Sequence, residues 1–127
     1  MRGGIYSNMY QGDAKRVVTV CSANMLRSPT MAEILSRSPF NFNTRSCGTE
    51  SYALIPFTEE LAIWADEIVC ADTEHAISIR NRLMTYQIDK PIVCLKIPDI
   101  YEFRHPELIK LIKERYKEAT NTDHETT

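Results

Sequence analysis

The chain lacks the features that would place it in a membrane or on a nucleic acid. None of its apolar runs approaches the roughly 20 residues that a membrane-spanning helix needs. Its net charge is only −2, which argues against a general nucleic-acid or anionic-membrane partner. The start of the sequence shows no signal-peptide core, and Arg2 stands where myristoylation requires glycine. We therefore expect a cytoplasmic protein with no nucleic-acid and no membrane partner.

Close pairs of metal ligands are also missing. The four cysteines and three histidines form no close Cys–Cys or His–His pair of the kind that zinc sites use. Three of the cysteines, Cys47, Cys70 and Cys94, fall in apolar runs that are typical of buried core thiols. We therefore expect reduced thiols, no metal and no cofactor.

The residues that are present predict one α/β domain. Hydrophobic residues make up 43% and charged residues 25% of the 127, as in ordinary globular domains. Strands are predicted at residues 15–21, 42–46, 67–71 and 91–97. Helices are predicted at 29–36, 58–64, 73–86 and from 106 onward. This alternation predicts a three-layer α/β/α fold with a four-stranded parallel sheet. Residues 15–119 should form the domain, and 1–14 and 120–127 should be loose terminal extensions.

The carboxyl ends of these parallel strands should share one edge of the sheet. Ligands of open α/β sheets bind at this edge. It would bring together the loop after the first strand, Asp72 after the third and Asp99 after the fourth. The topology therefore predicts a ligand site with at least one carboxylate beside the first loop.

The first loop has the pattern Cys-x5-Arg-Ser, formed by Cys21, Arg27 and Ser28. A loop of this length can curl its backbone N–H groups round one tetrahedral oxyanion, while the arginine closes over two oxygens with a bidentate fork. Ser28 is predicted as the N-cap and Pro29 as the first helical residue. The positive helix end favours both a bound phosphate and a thiolate at Cys21. A cysteine-dependent phosphatase needs this arrangement.

Residues 20–33, Val-Cys-Ser-Ala-Asn-Met-Leu-Arg-Ser-Pro-Thr-Met-Ala-Glu, resemble the phosphate-binding loop of the low-molecular-weight protein tyrosine phosphatases. Three further segments resemble that family in the same order along the chain: 45–49, 65–72 and 97–101. The likeness covers most of residues 16–118 and implies the family's fold. It also implies that Asn24 braces the loop and that the Ser28 hydroxyl bonds the nucleophilic sulfur.

The resemblance implies a role for each site residue. Cys21 would be the nucleophile, Arg27 the clamp on the phosphoryl oxygens and Asp99 the general acid. The implied substrate-binding residues are Ser22, Ala23, Asn24, Met25, Leu26, Ser28 and Tyr101. The implied activity is hydrolysis of phosphotyrosine or aryl phosphomonoesters through a phosphocysteine intermediate. The expected partner is a phosphorylated protein or a small aryl phosphate.

Three positions depart from the family pattern. Leu26 occupies a position where the family often has a second cysteine, so the reversible loop disulfide of some members cannot form. Ile100 replaces the usual proline after the acid, which leaves the acid loop less restricted in φ. The stretch 49–58 is shorter than in typical members, where it carries an aromatic wall of the substrate cleft.

The pattern leaves a rival acid and three rival functions open. Asp72 is a rival to Asp99 as the acid, although an Asp directly before a helix is more often a cap. An arsenate reductase uses the same loop and fold but needs two further cysteines close in sequence. A phosphoserine phosphatase of the RNA polymerase C-terminal-domain type has a similar loop in a longer chain. A binding module could capture a phosphorylated partner without hydrolysing it.

Overall fold

The computed structural model describes residues 5–6 and 14–125, with the side chains of residues 14–120. In chain order the elements are β1 (Ile5–Tyr6), β2 (Arg16–Cys21), α1 (Arg27–Leu35), β3 (Asn43–Gly48), α2 (Glu59–Trp64), β4 (Glu67–Cys70), α3 (Thr73–Tyr86), β5 (Ile92–Cys94) and α4 (Pro106–Glu125). No helix within these ranges is long and apolar enough to cross a membrane.

The strands form one sheet in the order β1-β3-β2-β4-β5. The four strands β2 to β5 are parallel, and β1 adds an antiparallel pair at the β3 edge. The predicted four-stranded parallel sheet is therefore confirmed, with one short strand added. Since the chain passes from β2 to β3 on one side and then crosses to β4 on the other, the loop after β2 lies where the strand order reverses. Such a switch point is the usual ligand position in open α/β sheets.

Helices cover both faces of the sheet because alternate strand residues are apolar on each side. On β2, Val17 and Cys21 belong to the cluster packed under α1 and α4. Val18 and Val20 belong to the cluster packed under α2 and α3. The three-layer arrangement predicted from the sequence is confirmed. Two buried threonines, Thr19 and Thr44, fix α1 on the sheet by donating to its carbonyls at Ser28 and Ala32, each at 2.8 Å.

Some predicted boundaries are wrong. Helix α1 begins at Arg27 rather than Pro29, and β5 ends at Cys94 rather than at residue 97. Lys96, within the predicted strand, has a left-handed φ of 56°. Helix α4 continues past residue 119, since the polar residues that follow include no glycine or proline to end it. Strand β1 lies inside the predicted N-terminal extension; residues 1–4 and 7–13 of that extension, and 126–127, lie outside the described residues.

The cysteines divide between the two faces of the sheet. Cys21 belongs to the cluster on the α1/α4 side. Cys47 and Cys70 are buried on the α2/α3 side, and Cys94 is half-buried beside them. Burial raises the pKa of Cys47 and of Cys70, so both are protonated thiols at neutral pH. All four cysteines are free.

Candidate active site

The Cys21 loop, residues 21–27, is held open by hydrogen bonds to the 49–54 segment. Three consecutive loop carbonyls accept backbone bonds: Cys21 from Thr49 N–H at 2.9 Å, Ser22 from Glu50 N–H at 3.1 Å and Ala23 from Leu54 N–H at 3.1 Å. A trans peptide unit points its C=O and N–H in opposite directions. The N–H groups of residues 22–24 therefore face the inside of the loop, where an oxyanion would accept from them.

Gly48 allows the end of β3 to approach this loop. A Cβ atom at Gly48 would lie 2.4 Å from the Ser22 carbonyl oxygen and 3.0 Å from the Asn24 nitrogen. Both neighbours are backbone atoms that cannot move without changing the loop. The glycine of the Arg-Ser-Cys-Gly-Thr segment is therefore part of the packing that shapes the site.

The Cys21 sulfur lies at the centre of a small buried network. It accepts from the Asn24 N–H at 3.2 Å and lies 3.0 Å from the Ser28 hydroxyl oxygen. The Ser28 hydroxyl donates to Asn24 Oδ1 at 2.8 Å. Asn24 has a φ of 59°, a left-handed conformation that asparagine tolerates better than most residues. This conformation turns the chain so that Asn24 contacts both Cys21 and Ser28.

The prediction that Ser28 caps α1 is wrong. Leu26 stands at the N-cap position, with no side-chain capping bond, and Arg27 is the first helical residue. The Ser28 hydroxyl cannot cap the helix because it is engaged with Asn24 and Cys21 inside the loop. The family-derived position of Ser28, next to the sulfur, is the one the structure shows.

Arg27 is buried, and its guanidinium is fixed from both sides. Its Nη1 donates to the Ile97 carbonyl at 2.9 Å, and its Nε lies 3.5 Å from Asp99 Oδ1. The Asp99 side chain is 65% exposed, so it can exchange protons with water. The charge of Arg27 is therefore held beside the Cys21 loop, with the Asp99 carboxyl at the mouth.

A cavity of about 280 Å³ opens over the Cys21 loop. Its lining residues are Cys21, Ser22, Ala23, Met25, Leu26, Arg27, Tyr52 and Asp99. Asn24 and Ser28 lie behind this lining as buried braces. Tyr101 does not line the cavity; it packs against the α1/α4 cluster, with its ring 5.6 Å from that of His105.

Sequence reasoning missed Tyr52. This side chain is 72% exposed and lies on the 49–54 segment, within the stretch 49–58 that is shorter than in typical family members. Tyr52 is the only aromatic residue between Thr49 and Ile55, and this could have marked it as a candidate for the cavity wall. An aromatic ring therefore does border the cavity, from a shorter segment than the family pattern suggests.

The rival carboxylates have other partners. Asp72 accepts from the Thr73 N–H at 2.7 Å and forms a capping box with His75 at the start of α3. Asp66 lies at the opposite end of β4, where the Arg16 backbone N–H and side chain lower the pKa of its carboxyl. Of these carboxylates, Asp99 alone lines the cavity. In the described part of the chain, no group of three or more His, Cys, Asp or Glu could hold a metal ion.

The loop that carries Asp99 is tied to α1 by the buried Glu33. The Glu33 carboxylate lies 3.1 Å from Arg104 Nε, and the Arg104 backbone N–H donates to Thr30 Oγ1 at 3.1 Å. Thr30 in turn donates to the Leu26 carbonyl at 2.8 Å, so the acid loop and the Cys21 loop share one anchor. Arg104 therefore attaches the segment that follows Asp99 to α1.

If Asp99 is the general acid that the sequence resemblance implies, replacing Arg104 with alanine should lower kcat/KM on phenyl phosphate by about tenfold, because a small displacement of the acid is costly. The effect should be much smaller on 2,4-dinitrophenyl phosphate, whose leaving group needs no proton. Arg37→Ala is the matched control, since Arg37 pairs with the same Glu33 carboxylate at 2.7 Å but stays outside the acid loop. Equal losses on both substrates would contradict a role in positioning the acid.

The lowered pKa of His75 should make the free energy of unfolding depend on pH. Burial, followed by the charge of Arg27, lowers the pKa of His75, while Glu74, Asp72 and Asp99 oppose this shift. Below about pH 6.5 the unfolded chain binds a proton that the folded chain does not, so the free energy of unfolding should fall as pH falls. The slope from this group is at most about 1.4 kcal/mol per pH unit. Urea unfolding of wild type and His75→Gln between about pH 7 and about pH 5 measures it; identical slopes would contradict the assignment.

The chain has the three-layer fold of the low-molecular-weight phosphatases, as the sequence resemblance predicted. An arginine phosphatase from Geobacillus stearothermophilus has a TM-score of 0.60 at 21% identity, with 86% of this chain and 94% of that chain covered. A low-molecular-weight protein tyrosine phosphatase from Streptococcus pyogenes has a TM-score of 0.64 at 15% identity, with 87% and 96% covered.

The tyrosine phosphatase Wzb from Escherichia coli K30, in complex with phosphate, has a TM-score of 0.57 at 19% identity, with 83% and 95% covered. No protein-family model and no curated protein matches the sequence. At sequence identities of 21%, 15% and 19%, the structural similarity establishes the fold but not the chemistry.

Proposed function

We propose that this protein is a cysteine-dependent phosphatase that hydrolyses phosphotyrosine or other aryl phosphomonoesters through a phosphocysteine intermediate. One observation carries the proposal: the Cys21 sulfur lies in a cavity that also has Arg27 on its wall and Asp99 at its mouth. The inward N–H groups of residues 22–24 complete an oxyanion site around it.

The reaction would proceed in two displacements. The Cys21 thiolate attacks phosphorus, an S–P bond forms, and the P–O bond to the leaving group breaks as Asp99 gives that oxygen its proton. A water then attacks the phosphocysteine, transfers a proton to Asp99, and breaks the S–P bond. Inorganic phosphate leaves, and the thiolate and the protonated acid are restored. Arg27 and the loop N–H groups neutralise the charge of the phosphoryl oxygens in both steps.

The cavity walls favour an aryl substrate. Three large side chains, Met25, Leu26 and Tyr52, line the cavity and are 57%, 38% and 72% exposed. An apolar leaving group that covers these exposed side chains removes apolar surface from water, which stabilises the complex. The Tyr52 ring can also stack on an aromatic leaving group. A phosphorylated tyrosine side chain, in a protein or as a small aryl phosphate, has this chemistry.

Solved structures of similar fold support the two-step route. The Escherichia coli K30 phosphatase has been solved with phosphate and with sulphate. The structure of a variant of the arginine phosphatase, with a serine replacing cysteine, carries a phosphorylated active-site serine. Since these arginine phosphatases share the fold, phosphoarginine is the second candidate substrate class.

Arsenate reduction, phosphate capture and phosphoserine hydrolysis fit the structure less well. An arsenate reductase would pass a disulfide outward from Cys21, but Cys47, Cys70 and Cys94 pack on the opposite face of the sheet. A phosphate-capturing module would need no nucleophile and no acid beside the oxyanion site. A phosphoserine substrate would contact little of the apolar cavity wall, because the serine side chain is small. A comparison of phosphoserine and phosphotyrosine hydrolysis distinguishes the two activities.

The test is the hydrolysis of p-nitrophenyl phosphate from about pH 4.5 to about pH 8, followed by phosphotyrosine, phosphoserine and phosphoarginine in the same peptide. The acid must be protonated while the thiolate is ionised, so the rate should be bell-shaped with an acidic optimum. Preference for phosphotyrosine supports the proposal. Preference for phosphoarginine or phosphoserine would replace the substrate class, and no turnover at any pH would reject the phosphatase assignment.

A further inference from the structure

A second buried side chain reaches the Cys21 loop from α3. His75 is 1% exposed, and its Nε2 lies 2.9 Å from the Ser22 hydroxyl oxygen. Ser22 directly follows the nucleophile and lines the cavity. Neither the loop motif nor the capping box requires this contact, because a glutamate or glutamine at the same helix position would complete the cap equally well.

The hydrogen bonds of His75 define which nitrogen carries the proton. Nδ1 accepts from the Asp72 backbone N–H at 3.0 Å, so it has no hydrogen of its own. The neutral ring must therefore carry its proton on Nε2, which donates to Ser22 Oγ. Burial and the Arg27 charge lower the pKa of His75 and keep the ring in this neutral form.

This donation determines what the Ser22 hydroxyl can do. Its oxygen is occupied as an acceptor by His75, and within the described residues it has no other hydrogen-bond partner. The hydroxyl hydrogen is left to donate. The Ser22 carbonyl is bonded to Glu50 N–H and packed against Gly48, so the backbone at this position is fixed. Because Ser22 lines the cavity, the hydroxyl hydrogen can be donated to a solvent molecule there or, when an anion is bound, to one of its oxygens.

We propose that His75 is a positioning residue of the oxyanion site, which holds the Ser22 hydroxyl so that it donates to an oxygen of the bound phosphoryl group. The loop then offers one side-chain donor in addition to its backbone N–H groups and Arg27. A hydrogen bond to a charged acceptor is among the stronger ones in proteins, so its loss should be measurable as weaker anion binding. The inference deepens the proposed function and rests on it only for its effect on turnover.

The test is a double-mutant cycle with two readouts, the Kd of inorganic phosphate by calorimetry and kcat/KM on p-nitrophenyl phosphate. Ser22→Ala should weaken both by about tenfold, and His75→Leu should weaken both by a similar factor. In the Ser22→Ala background, His75→Leu should have no further effect, because its route through the hydroxyl is gone. His75→Gln should keep near wild-type values, since its side-chain oxygen and nitrogen can replace the two ring nitrogens.

Three outcomes would overturn the proposal: unchanged phosphate affinity in Ser22→Ala, equal losses from His75→Leu in both backgrounds, or failure of His75→Gln to restore binding while folded. Thermal unfolding identifies a variant that does not fold. If His75→Leu does not fold, the Ser22→Ala and His75→Gln measurements together decide. Phosphate binding also separates this proposal from the proposed function. Suppose that the protein binds inorganic phosphate but hydrolyses no phosphate ester. If His75→Leu then weakened phosphate binding only where Ser22 is present, the positioning role would stand and the phosphatase assignment would be rejected.

Discussion

Replacing Cys21 with serine should abolish turnover of p-nitrophenyl phosphate, with a loss of at least about a thousandfold, while inorganic phosphate still binds. A serine hydroxyl is not ionised at the working pH and is a far weaker nucleophile than a thiolate. The oxyanion site should survive because the N–H groups of Ser22 and Ala23 face into the loop and the Arg27 guanidinium is held by the Ile97 carbonyl, and none of these is bonded to the sulfur. The measurement is kcat by absorbance and the Kd of phosphate by calorimetry.

The matched control is Cys94→Ser. This thiol is half-buried on the opposite face of the sheet, so its replacement should leave kcat unchanged. Mass spectrometry of the Cys21→Ser protein after incubation with substrate adds a second readout, since it would detect a phosphoryl group transferred to the serine. A Cys21→Ser protein with wild-type turnover would show that another group is the nucleophile.

The core of the site was predictable because it is local in sequence. Cys21, Arg27 and the intervening loop follow one strand and precede one helix, so a short motif contains both their chemistry and their geometry. The sheet was predictable for a related reason. Strands β2, β4 and β5 carry apolar residues such as Val17–Val18, Ile68–Val69 and Ile92–Val93, and the alternation of strands with helices permits few topologies.

What the sequence could not show depends on side chains that meet from distant segments. Tyr52 reaches the cavity because the 49–54 segment bonds to the Cys21 loop, and His75 reaches Ser22 across 53 positions of the chain. Nothing in the spacing of these residues indicates either contact. Ser28 shows a different limit. A serine before a proline favours a helix cap, but the loop's own hydrogen bonds engage its hydroxyl first.

Tyr101 lies outside the cavity lining, although the family pattern implies that it binds substrate. The segment that follows the acid has Ile100 in place of the family's proline, and here the Tyr101 ring turns toward His105 and the α1/α4 cluster. Ile100 itself is 74% exposed. The aromatic residue that lines the cavity is Tyr52, and the role of Tyr101 in substrate binding stays a prediction.

Replacing Asp99 with asparagine should lower kcat/KM on phenyl phosphate by about 10²- to 10³-fold, the usual contribution of a general acid. Asparagine keeps the size of the side chain but cannot give the leaving oxygen a proton. The loss should shrink to a few-fold on 2,4-dinitrophenyl phosphate, because that leaving group departs without protonation. The alkaline fall of the wild-type pH profile reports loss of the acid's proton, so it should disappear in the variant.

The control for this variant is Asp66→Asn. Asp66 lies at the opposite end of β4 and pairs with Arg16, so its replacement changes a surface charge without touching the cavity. The Asp99 result also tests the ion pair with Arg27, whose Nε lies 3.5 Å from the carboxylate. Removing a negative charge from this position should tighten phosphate binding even as turnover falls. Equal losses on both aryl phosphates would instead assign Asp99 to substrate binding and would return Asp72 to consideration as the acid.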